Sequence, residues 1–143
     1  MFRVIVVAVS FGACSLAAAQ TLTLSDIKAK NAVQLSAEDL KQLIPGAKVM
    51  HRTPMGTTRR WENKTDGTLV ASSDASATGG GRAYRVTASG TWRIAENGRF
   101  CVAIKWNMNN EDSCRYVFKA DGKYFGVGKL QDTEPVGEFE FSK

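Results

Sequence analysis

The sequence predicts an α+β protein that is mostly β: an N-terminal helix packed on an antiparallel meander of about seven strands, curling into an open barrel. Three observations predict this. From Lys48 onward, apolar and polar residues alternate, the period of half-buried strands. That region carries three turn signals: "TDG" at Thr65–Gly67, "ENG" at Glu96–Gly98 and "ADG" at Ala120–Gly122. Asp-Gly and Asn-Gly between apolar runs are hairpin signals, and a parallel sheet would need long crossovers that do not fit between them.

The chain opens on "MFRVIVVAVSFGACSLAAAQ", in which Arg3 precedes an apolar run ending near Leu16, followed by Ala17, Ala18 and Ala19. A basic start, a short apolar stretch and a small-residue cleavage site form the pattern of a secretory signal peptide. The run is too short for a membrane span, which takes about 20 apolar residues. Residues 1–19 are therefore read as a signal peptide and 20–143 as one globular domain. The alternative is a lipid anchor at Cys14, the one route to a membrane. The expected location is the periplasm or the cell exterior, and export argues against nucleic acid as a partner.

The one well-marked helix lies in "LSAEDLKQLIPGAKV". Ser36 and Asp39 form a capping box in its aspartate variant. Leu40, Leu43 and Ile44 supply an apolar stripe, and Pro45-Gly46 ends it. Residues 22–33 add a short helical turn. The stretch "SSDASATGGG" from Ser72 to Gly81 reads as a flexible loop, with a lid over a pocket as its functional alternative.

The central hairpin allows a choice of register. A three-residue loop, Glu96-Asn97-Gly98, sets Ile94 beside Phe100 and gathers Trp92, Ile94, Phe100, Val102, Ile104 and Trp106 on one face. A two-residue Asn97-Gly98 turn sets Ile94 beside Cys101 instead. Register follows the buried face, so the first is expected, with Gly98 in the left-handed region as a G1 bulge. Cys101 then points away from the tryptophans and reaches Cys114 near the polar loop "NMNNEDS". The closing "VGEFEFS" places Phe139 and Phe141 on one face and Glu138 and Glu140 on the other, a final strand suited to a sheet edge.

Twelve residues separate Cys101 from Cys114, against the two to four typical of a structural zinc pair. His51 is the single histidine of the chain, so neither a Cys/His metal quartet nor a thiolate-base pair is easily assembled. In an oxidising compartment the pair reads as a disulfide. No metal and no cofactor is expected.

Catalytic machinery is hard to assemble. A Ser-His-Asp arrangement would have to use His51, and no serine carries a nucleophile signature. The carboxylate pairs Glu62/Asp66, Glu111/Asp112 and Glu138/Glu140 read as solvated surface. Binding has better support. The strand "TTRRWEN" puts Arg59 and Trp61 on one face and Arg60 and Glu62 on the other, and arginine beside tryptophan grips anionic or sugar-like ligands. Arg59, Arg60 and Trp61 are the candidate binding residues; the competing reading has Trp61 in the core and the arginines reaching outward.

The formal net charge of +5, or +4 once Arg3 is removed, is uneven. The stretch "KQLIPGAKVMHRTPMGTTRR" holds five Lys/Arg and no acid, enough to steer an anionic envelope component or an acidic protein, although a solvated face explains it equally. "GTWRIAENGRFCVAIKWNMNNEDSCRYVFKADGKYFGV", following the helix and a hairpin signal, resembles the pattern of small exported proteobacterial proteins classed as domains of unknown function. That resemblance implies an exported, β-rich domain and assigns no active-site residue. The sequence thus points to a non-enzymatic envelope protein that binds a macromolecular partner. The alternative is a carrier of a small ligand in a lipocalin-like curved sheet.

Overall fold

The computed structural model describes residues 20–75 and 84–143. In chain order these form α1 (Leu24–Lys28), β1 (Val33–Gln34), α2 (Ala37–Leu43), β2 (Lys48–Arg52), β3 (Thr58–Asn63) and β4 (Thr68–Ala75). There follow β5 (Tyr84–Ile94), β6 (Phe100–Lys105), β7 (Asn110–Ala120), β8 (Lys123–Val127) and β9 (Gly137–Ser142). The proposed signal segment 1–19 and the glycine run at 79–81 lie outside the described residues. Residues 72–75 belong to β4 and pair with β5, so the expected loop begins later than its composition suggests.

From β2 to β9 each strand pairs antiparallel with the next in sequence, and β9 pairs back onto β2. The meander is therefore a closed eight-stranded barrel, where the sequence reading had about seven strands and an open one. β9 is correspondingly no edge: it lies between β8 and β2. Its expected alternation holds, with Phe139 buried and Glu140 exposed. Closure removes exposed sheet edges, and at eight strands the interior is just wide enough to be filled by side chains.

Trp61, Leu69, Phe100, Val102, Ile104, Val117 and Phe139 fill it, all at most 5% exposed. The Ile94–Phe100 pairing, the Ala95–Arg99 hydrogen bond and Gly98 at φ 76° are those of the three-residue loop expected from burial. A left-handed residue is costly for side chains other than glycine, asparagine and aspartate, so Gly98 suits that corner.

Two helices serve the barrel, the shorter, α1, lying within residues 22–33 where a helical turn was expected. In α2, the Ser36 hydroxyl accepts from the Asp39 amide at 3.1 Å, and the Asp39 carboxylate accepts from the Ser36 amide at 2.8 Å. The Ser36 hydroxyl also donates to that carboxylate at 2.7 Å, and this bond, with the one from the Ser36 amide, holds the Asp39 carboxyl below its usual range. The helix delivers Leu40 and Ile44, both fully buried, onto the end of the barrel where the three tight turns lie. Burial of each contributes about 1.5–3 kcal/mol. Asn63 fastens the plug from inside the barrel, its amide nitrogen donating to Ala47 O at 2.9 Å and its side chain to Ile44 O at 3.3 Å.

The shorter α1 works outside. Leu24 and Ile27 form a second core with Phe118, Ala120, Phe125, Val127 and Val136, which are positions of β7, β8 and the β8–β9 connection. This explains why both faces of β7 are apolar around Val117 and Phe118: one lines the barrel and the other is covered by α1.

Cys101 and Cys114 are directly opposite across β6 and β7 and form a disulfide, with Cα atoms 4.0 Å apart. As the register implied, the bridge is on the face away from Trp92 and Trp106. Its position along the hairpin differs from expectation. β7 begins at Asn110, so the loop is only Trp106–Asn109, and the bridge lies four residue pairs from it. The polar letters "NEDS" belong to the strand because alternate residues face the barrel interior.

Candidate functional site

The end opposite α2 is built differently. There the inward positions are Arg59 on β3, Ser73 on β4, Val86 on β5, Trp106 after β6, and Glu111, Ser113 and Arg115 on β7. A recess of about 350 Å³ is lined by Arg59, Ser73, Val86, Trp106 and the β6–β7 loop residues Asn107, Met108 and Asn109. Glu111 ties it together. Its Oε2 accepts one hydrogen bond from Arg59 Nη1 and another from the Trp106 indole at 3.2 Å. The Arg59 and Glu111 side chains are only 27% and 15% exposed, which removes much of the solvent screening that makes surface ion pairs weak.

Arg115 sits in the same interior. Its Nη1 donates to Ser113 Oγ at 2.8 Å, and among the described residues it has no carboxylate at ion-pair distance. Burial lowers its pKa; Glu111 opposes that shift and Arg59 adds to it.

His51, on β2, pairs in register with Arg59 and is 1% exposed. Its ring stacks on Phe139 at 4.4 Å, and neither ring nitrogen has a hydrogen-bond partner among the described residues. Two inward glycines make this crowding possible. A Cβ on Gly137 would lie 2.5 Å from His51 Nε2, and one on Gly126 would lie 2.3 Å from the Phe139 ring and 3.1 Å from Arg115 Cδ. Burial, with the charges of Arg115 and Arg59, lowers the His51 pKa to about 3. The imidazole is therefore neutral at physiological pH, and the half-buried charges around it among the described residues are the guanidiniums of Arg59 and Arg115 and the Glu111 carboxylate.

Of the residues singled out by sequence, Arg59 and Trp61 do share an inward face, but at different depths. Trp61 is 5% exposed, deep in the core, edge-on to Phe139, while Arg59 lines the recess. Arg60 projects from the outer wall, where it borders a groove of about 630 Å³ with Lys48, Glu62, Val70 and Glu140. The expected trio is therefore divided between core, recess and outer wall. Glu111, read as solvated from its polar surroundings, is instead the centre of the cluster. The signal that finds it is its register with Ile104, which places it on the inward face. Arg115 faces inward by the same rule, opposite Phe100. No group of three or more His, Cys, Asp or Glu suited to a metal ion occurs among the described residues.

Fold and site together define a helix-plugged, up-and-down antiparallel barrel with a charged recess at the end opposite the plug. The chain belongs to the family described as "Protein of unknown function (DUF995)", which matches residues 11–121 and so spans the helix plug and the strands through β7. Comparison with curated proteins and with solved structures returned no match.

Proposed function

We propose that this chain is an exported, non-enzymatic binding protein that holds a small polar ligand in the recess at the end of its barrel opposite the plug. One observation carries the reading: one end is sealed by an apolar plug, while at the other a recess is lined by a guanidinium and an indole, Arg59 and Trp106, that share the Glu111 carboxylate. Pockets of this size with a few convergent polar groups are the usual form of small-ligand sites. The interior beneath is filled by Trp61, Phe100, Ile104 and Phe139, which favours a ligand seated in the mouth over a lipid swallowed whole.

Binding is favoured over catalysis by the chemistry of His51. A histidine with a pKa near 3 is too weak a base to take a proton efficiently at neutral pH. Export is supported by the disulfide, which suits an oxidising compartment. No helix among the described residues is long and apolar enough to cross a membrane.

The outer groove supports a second reading, docking of a macromolecular partner. It is larger than the recess, but its charged lining mixes Lys48 and Arg60 with Glu62 and Glu140 on an open wall, without the convergence seen at the mouth. Native mass spectrometry of protein recovered without reduction from the producing cell tests the first reading. The expected result is a chain starting at Gln20, two hydrogens lighter than its reduced form, carrying a small adduct that is lost on denaturation. A bare mass together with a co-purifying protein held at the outer groove would overturn it.

A further inference from the structure

Resting on that reading, we infer that the recess ligand is a monoanionic carboxylate with a short apolar body. The cluster is unbalanced: Arg59 and Arg115 both face the barrel interior, and among the described residues Glu111 is the only carboxylate bonded to either. Glu111 is committed to Arg59 and Trp106 through a single oxygen. Arg115 is left with one neutral hydroxyl partner for a side chain with five N–H donors. His51 cannot correct the imbalance, since its imidazole is neutral or positive and never negative. A partly buried cation without a counter-ion is costly, and one negative charge entering the mouth gives each guanidinium its own carboxylate.

The shape of that anion follows from the groups around it. A guanidinium presents a planar fork that matches a carboxylate in two parallel hydrogen bonds. Arg59 lines the recess and meets the ligand first; Arg115 lies outside that lining, close enough for the charges of Arg59 and Glu111 to act on it. Val86, the Trp106 ring and Met108 supply apolar wall beside the charge, a lining suited to a hydrocarbon or aromatic body. Arg59 lies on the inner side of the recess and the β6–β7 loop at its rim, so the charged end of the ligand points inward.

The test is titration of the oxidised, extensively dialysed protein with octanoate, octanol, octylammonium and inorganic phosphate, following the Trp106 indole N–H by NMR and the heat by calorimetry. Octanoate is expected to shift Trp106 and to bind about tenfold or more tightly than octanol, the scale of one hydrogen bond to a charged group. Octylammonium and phosphate are expected to bind far more weakly. Arg115→Gln, which removes one of the two nearby cations, should weaken octanoate by about three- to tenfold, whereas Glu111→Gln, which removes the competing carboxylate, should tighten it by about the same factor. Loss of folding cannot produce both changes, and the Glu111 variant and the four probes remain decisive if the Arg115 variant does not fold.

Octanol or octylammonium binding as tightly as octanoate would overturn the anion assignment and leave the recess as a ligand site. Phosphate matching octanoate would overturn the apolar body. Silence of Trp106 toward all four probes would overturn the recess itself.

Discussion

His51 shows how one side chain records the character of its end of the barrel. It is an ordinary histidine in sequence, in a basic stretch, and the fold places it against Phe139, beside two arginines, with neither nitrogen hydrogen-bonded among the described residues. Its folded pKa lies near 3, below the unfolded value of about 6.5. Between those values the unfolded chain binds the proton and the folded chain does not. The His51 contribution to stability is therefore complete above pH 6.5 and is lost as pH falls toward 3. The unfolding free energy from urea titrations should drop across this window, by up to about 1.4 kcal/mol per pH unit, and His51→Gln should flatten the dependence. An unchanged slope in the variant would show that other groups control it.

Among the elements, the β6–β7 hairpin is the most informative. Its two cysteines face each other on the outer wall while Ile104 and Glu111 face each other inside, so one register decides both the staple and the centre of the recess. The bridge closes a loop of about 14 residues, worth roughly 3 kcal/mol in the chain-entropy model. The double variant Cys101→Ser/Cys114→Ser should lower the unfolding free energy by about that amount. It should leave the far-ultraviolet circular dichroism of the barrel intact, because the hairpin is also held by its backbone ladder and by Phe100, Val102 and Ile104 in the core. Loss of the β signal would mean that the hairpin depends on the bridge for its pairing. The turn and register of the preceding β5–β6 hairpin were legible from burial alone, because a one-residue slip would have turned Phe100, Val102 and Ile104 out to solvent.

For the whole molecule, the decisive contact is the seam between the first and last barrel strands. Val49 pairs with Phe141 and His51 with Phe139, partners some ninety positions apart in the chain. Amide hydrogen exchange should find the β2–β9 seam as slow as the hairpin-paired strands β3–β4 and β5–β6, opening only with global unfolding. A seam that exchanges early, ahead of those hairpins, would return the barrel to the open form expected from sequence. Closure matters for function because it fixes Arg59 on β3 and Arg115 on β7 around one shared interior, where an open sheet would hold them apart.

The sequence by itself determined the local features: the Ser36–Asp39 cap, the three hairpin turns, the alternation of β9 and the outward face of Cys101. Each is encoded by a few adjacent residues, through capping, turn geometry or a period of two. Only the tertiary structure decided closure, the inward placement of Glu111 and Arg115, and the neutrality of His51. Alternation says which residues share a face and not which face is enclosed, and a carboxylate among polar letters reads as solvated until a distant strand buries it. The charge imbalance that points to an anionic ligand arises between β3 and β7, through barrel closure, and no local stretch of the chain contains it.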